Sequence, residues 1–157
     1  MATAGETQQS EQLVRKQALD LLAKAELREL QAAWDRLEPK PAVAAVRGPE
    51  TGLVMVRGRT GGGGSPFNLG EVTVTRASVR VDDTLVGHGY ALGTDSRKVR
   101  LAAIFDALGQ KPEMMHAIQT QLLGPIAERL AEADRQTRAE TAATRVDFFT
   151  MVRGEDK

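Results

Sequence analysis

The chain has no cysteine among its 157 residues, which removes disulfides, thiol nucleophiles and cysteine-rich zinc sites together. Aromatic residues are scarce too, with four Phe, one Tyr and one Trp. Its core is therefore expected to be built from Ala, Val and Leu, with room for a partner to supply part of the burial. No sign of charge dominates: 21 Lys and Arg face 21 Asp and Glu. That balance argues against a nucleic-acid protein, whose affinity comes largely from a basic face neutralising phosphates. No apolar run approaches the roughly 18–20 residues of a spanning helix, and the first residues lack the basic and apolar regions of a signal peptide. The expectation is a cytoplasmic protein with no membrane role, one domain over residues 1–157, with residues 1–10 polar and loose.

What is present falls into three blocks. Ser10 is placed to cap a helix, and Val14, Ala18 and Leu21, then Leu27, Leu30, Trp34 and Leu37, recur at helical spacing. One or two helices are expected, ending near Glu38 because Pro39 and Pro41 cannot continue them, with Trp34 as the anchor. Four strand-like runs follow: 43–47, 53–59, 71–81 and 84–92, the first two separated by the turn-rich Gly48-Pro49-Glu50-Thr51-Gly52. In the third run the apolar parity shifts from Val72 and Val74 to Ala77, Val79 and Val81, which suggests a bulge near Arg76. Asp82-Asp83 reads as the turn of a hairpin whose return strand carries Val86, His88, Tyr90 and Leu92 on one face. Asp95 or Ser96 is expected to cap a helix to Leu108, ended by Gly109. A long helical region over 113–145 is expected to break or kink at Gly124-Pro125. Helices, an antiparallel sheet of about four strands, then helices make the class α+β.

Candidate sites are few. The loop Arg57-Gly-Arg59-Thr-Gly61-Gly62-Gly63-Gly64-Ser65 could cradle an anion, since glycines let backbone N–H groups converge and the arginines add charge. It lacks the Gly-Lys-Ser/Thr and the following helix of a P-loop, so a plain hairpin connection is the rival reading. Arg76 and Arg80 share a strand face if no bulge separates them, and could join that basic surface or stay solvated. His88, between two glycines, is open to a ligand but has no nucleophile at a recognisable spacing. His116 has no second histidine at i+4, so no helical metal pair is expected. The ending holds half of the phenylalanines: Arg145, Asp147, Phe148, Phe149 and Met151 make residues 146–157 a candidate docking tail, the alternative being burial against its own sheet.

Several segments are familiar as text. Thr51-Gly-Leu-Val-Met-Val-Arg-Gly-Arg59, Gly61 to Gly64, Pro66-Phe-Asn-Leu-Gly-Glu-Val-Thr-Val-Thr-Arg76, Gly87-His-Gly-Tyr-Ala-Leu-Gly93 and the ending from Ala143 to Gly154 together resemble the PhnG family of bacterial carbon–phosphorus lyase systems. The resemblance implies a supporting, non-catalytic subunit that assembles with PhnH, PhnI and PhnJ in phosphonate breakdown. With PhnL, the G, H and I proteins would convert ATP and an alkylphosphonate to ribose 1-alkylphosphonate 5-triphosphate, releasing adenine. ATP is then a substrate of the complex, with no cofactor or metal held by this subunit. The chain departs from the family pattern at Ala77, in place of a cysteine, and at Thr94, in place of an arginine, so neither group can be required here. A stand-alone phosphate-ligand binder or enzyme using the glycine loop and His88, and a self-associating homo-oligomer, remain the alternatives.

Overall fold

The computed structural model describes residues 4–61 and 63–144. The chain divides into two compact units, Met1–Ala127 and Glu128–Lys157. The first holds two N-terminal helices, α1 (Ala4–Lys24) and α2 (Leu27–Arg36), then three antiparallel strands, β1 (Val43–Arg59), β2 (Pro66–Val81) and β3 (Leu85–Leu92), in the order β1-β2-β3. After these come α3 (Ser96–Leu108), α4 (Pro112–Ile118), a π-helical turn (Gln119–Leu123) and the start of α5 (Gly124–Ala143). The class is α+β, with three strands where about four were expected.

The two short runs at 43–47 and 53–59 are one strand. The turn residues Gly48 to Gly52 do not reverse the chain. They give β1 its register shifts, between Ala45 and Arg47 and between Arg47 and Glu50, with Gly48 at φ +65°. The bulge expected near Arg76 is therefore on the neighbouring strand. β2 pairs with β3 without interruption from Val74 to Val81, so Val72 and Val74 lie on one face and Ala77, Val79 and Val81 on the other.

The faces of β3 follow from its glycines. A Cβ at Gly87 would lie 2.0 Å from the Ala103 carbonyl oxygen, and one at Gly89 would lie 2.2 Å from that of Val99. The helix α3 thus rests backbone to backbone on β3, over Gly87, Gly89 and Ala91. His88, Tyr90 and Leu92 point away to solvent. The parity predicted for β3 is correct, but the apolar side chains mark its outer face. Every residue of α3 from Leu101 to Leu108 is buried, because α1 and α2 pack on it as well as the sheet. Asp95 caps it, accepting the Lys98 N–H at 2.9 Å, and Gly109 ends it.

Three helix expectations change. α1 starts at Ala4, so Ser10 lies inside the helix and not at its cap. Its packed stripe runs through Arg15, Ala18 and Leu22, while Val14 is exposed. In α2 the anchor is Leu30, fully buried, whereas Trp34 is half-buried beneath the Lys40 ammonium, 5.3 Å from the ring centre. Gly124-Pro125 does not break the last helices. A π turn precedes it, the Gly124 N–H reaching back to the Gln119 carbonyl, and the wider turn leads into a proline that has no N–H to donate.

The second unit, described to Thr144, is the helical stretch from Glu128. Residues 131–144 are exposed throughout, and ion pairs Arg138–Asp134 at 2.8 Å and Arg135–Glu132 run along it. Such i, i+3 and i, i+4 pairs support a solvated helix by a few tenths of a kcal/mol each (about 0.2–0.5).

Candidate functional site

The sequence candidates fall into separate places. Arg76 and His88 lie on the outer face of the sheet, the face turned away from α3. Cross-strand register builds that face in rows. Val86 pairs with Arg80, His88 with Ser78, Tyr90 with Arg76 and Leu92 with Val74. On the other side of β2, Ala44 pairs with Arg80, Arg47 with Ser78, Glu50 with Arg76, Gly52 with Val74 and Val54 with Val72. Arg76 and Arg80 share this face, as their equal parity requires.

The polar half of the face is wired locally. Arg76 Nε donates to Glu50 Oε1 at 2.6 Å, and Arg47 Nε lies 2.6 Å from the same oxygen. The hydrogen bond from Arg76, helped by the charge of both arginines, holds the Glu50 carboxyl below the usual carboxylate range. Ser78 Oγ and His88 Nδ1 are 2.9 Å apart. His88 is exposed and Ser78 half-buried, and among the described residues no carboxylate hydrogen-bonds the ring. Arg80 has no ion pair or hydrogen bond among the described residues.

Arg57, Arg59 and the glycines sit elsewhere, at the tip of the β1–β2 hairpin. Seven residues separate Arg57 from Glu50 along β1, about 23 Å at roughly 3.3 Å per residue. The structure therefore does not bring the glycine loop to Arg76 or His88. The tip folds on itself: the Gly64 N–H donates to the Thr60 carbonyl at 3.1 Å, and Arg59 Nη1 to the Gly64 carbonyl at 3.3 Å. Gly61 has φ +60°, which favours glycine, and Gly64 has no room for a Cβ beside the Thr60 carbonyl oxygen. Gly63 has neither constraint, and Gly62 lies outside the described residues. So do Arg145, Asp147, Phe148, Phe149 and Met151, the candidate docking tail.

One constellation escaped the sequence reading. Asp106 is 5% exposed. Arg15 of α1 binds it with both prongs, Nε to Oδ1 at 2.9 Å and Nη2 to Oδ2 at 2.8 Å. The His88 backbone N–H donates to Oδ2 at 2.8 Å. The Asp106 hydrogen bond raises the Arg15 pKa above its ordinary value. One carboxylate thus ties α1, α3 and β3 together, and leaving Arg15 unpaired would cost about 2–3 kcal/mol, reduced by its partial exposure. Beside it opens a cleft of about 470 Å³ lined by Ala18, Leu22, Met115 and Leu123 and by the polar Gln12 and Gln110. The signal was readable: a lone acid inside an otherwise apolar helical run, and an arginine on the apolar stripe of α1.

Beyond Leu92, β3 ends and the β1–β2 hairpin continues alone as a two-stranded arm. Leu53, Val54, Met55, Phe67 and Leu69 are all exposed there, Leu69 by 67%. With Tyr90 and Leu92 they account for seven of the ten exposed large apolar residues among those described. An arm that exposes large apolar side chains on both of its faces marks an interaction site more than chance scatter does.

The family model described as phosphonate metabolism protein PhnG matches residues 14–154. The chain belongs to the PhnG family. It is 60% identical over 142 residues, 90% of either chain, to the Rhizobium meliloti (strain 1021) protein named alpha-D-ribose 1-methylphosphonate 5-triphosphate synthase subunit PhnG. Membership makes the glycine-backed strand, the arm and the outer face features of a protein of phosphonate metabolism.

Proposed function

We propose that this chain is a supporting subunit of a phosphonate-activating synthase, acting with PhnI, PhnH and PhnL-like chains and, in the later carbon–phosphorus cleavage, with a PhnJ-like chain. In that reaction a phosphonate oxygen of an alkylphosphonate such as methylphosphonate attaches to C1′ of ATP. The bond from C1′ to adenine breaks, adenine leaves, and the product is ribose 1-alkylphosphonate 5-triphosphate. The observation that carries the reading is the 60% identity to a named synthase subunit over nearly the whole of both chains. The exposed apolar arm supports it, since such a surface suits a chain that works within an assembly.

The role assigned to this subunit is structural support of the displacement, without a catalytic group of its own. The test is reconstitution. PhnI, PhnH and PhnL of the same host are assayed for adenine release from ATP and methylphosphonate, with and without this chain. Adenine release that needs the chain and that, per assembled complex, survives His88→Ala and Arg76→Ala is expected. Full activity without the chain would remove the subunit reading. Loss of turnover in either variant, with assembly intact, would make this subunit a direct contributor to the chemistry.

A further inference from the structure

The outer sheet face is divided along its length. Its base carries Arg47, Arg76 and Arg80 against a single acid, Glu50, and Arg80 has no partner among the described residues. Towards the arm the same face becomes apolar, through the exposed Leu92 and Val54 and the half-buried Val72 around a buried Val74, with Tyr90 at the border. Leu92 is 71% exposed and Tyr90 51%. The rows from Arg80 to Val72 span about 26 Å of β2. At two to three strands wide, the strip has a footprint of roughly 250–400 Å² before side-chain relief is counted, up to about half of one side of a standard interface at about 800 Å².

Charge decides the occupant. A second copy that covers the whole of this face by a two-fold axis can stack in two ways, and an offset stack of apolar half on apolar half would cover only half of the strip. With the axis along the strands, each row meets itself and arginines face arginines. With the axis across the strands, the arginine rows of one copy cover the apolar rows of the other. The first arrangement is repulsive, and the second strips water from cations without pairing them. A different chain has neither problem. We infer that the outer face of the sheet is the docking surface for another subunit of the synthase, one whose matching surface sets carboxylates against Arg80 and Arg47 and apolar side chains against Leu92 and Val54. The inference rests on the subunit reading above and adds the face and the chemistry of the contact.

The experiment measures binding of the full-length chain to co-expressed PhnI and PhnH of the same host, by co-purification and then by titration at several salt concentrations. The variants are Arg80→Glu and Leu92→Glu, both at exposed side chains, with Arg100→Glu, exposed on α3, as control. Melting temperature is recorded for each to separate folding from binding. Each outer-face variant is expected to weaken binding tenfold or more at an unchanged melting temperature. The control should bind as wild type, and wild-type affinity should fall as salt rises. Wild-type protein that recruits no subunit would overturn the subunit reading itself. Wild-type binding that neither variant weakens would overturn the assigned face and leave the subunit reading standing. A wild-type homo-oligomer dispersed by Leu92→Glu would assign the face to a second copy and overturn the inference.

Discussion

At the scale of single residues, the Gly87-His88-Gly89-Tyr90-Ala91 stretch shows how one segment serves two faces. The glycines lie inward, where the carbonyls of Ala103 and Val99 leave no space for a side chain. That close approach puts Asp106 within reach of the His88 N–H, while the His88 side chain faces outward beside Ser78. Gly89→Ala must push α3 off the sheet and is expected to cost about 3 kcal/mol or more, since overpacking of this kind usually costs 1–3. Gly70→Ala, on the arm, meets nothing within 4 Å and has no positive φ, so it should be neutral or slightly stabilising, by up to about 1 kcal/mol. Denaturant unfolding of the two variants decides it. Equal stability would mean that the helix adjusts freely and that the glycines are not what sets its distance.

At the scale of elements, the helix limits of α3 and the hairpin at Asp82-Asp83 were legible because local chemistry writes them: a capping aspartate, a closing glycine, and two acids in the left-handed region at φ 48° and 57°. β1 was misread as two strands because Gly48-Pro49 is turn chemistry, whereas the pairing with β2 carries the chain through it as a pair of register shifts. No local signal distinguishes those outcomes; the long partner strand does. The shared face of Val86, His88, Tyr90 and Leu92 was legible from parity, but not which face of β3 is buried, since a strand whose buried positions are glycines hides its core from any hydrophobic pattern. The arm is the element with the least support. From Leu53 to Arg59 and from Pro66 to Val72 it has no third strand among the described residues, and an isolated two-stranded hairpin is marginally stable in water. Its amides should exchange with solvent deuterium far faster than those of 74–81 in the isolated chain, and slow down on assembly with the other subunits. Arm amides already as protected as the three-stranded region would show that the hairpin is rigid on its own.

At the scale of the whole molecule, the candidate groups do not converge. The glycine tip, the outer-face arginines and the Asp106 constellation occupy three places, and sequence proximity had joined the first two only because strands fold back in space. What unites the outer face is the gradient from cationic to apolar, which acts as a guard against self-association as well as a code for a partner. Edge and face chemistry of this sort discourages wrong pairing by leaving charges that only one partner satisfies. Removing the guard should therefore create self-association. In the double variant Arg76→Leu with Arg80→Leu, Glu50 keeps Arg47 as its partner, and the face loses two of its three cations and gains two exposed apolar side chains beside Tyr90 and Val86. That variant is expected to run at twice the wild-type mass or more in light scattering, at concentrations where the wild-type chain alone stays monomeric. It should also lose salt sensitivity in its binding to the other subunits. A double variant that remains monomeric and keeps wild-type salt dependence would mean that these arginines neither repel a second copy nor recognise the partner, and that the contact lies on the arm alone.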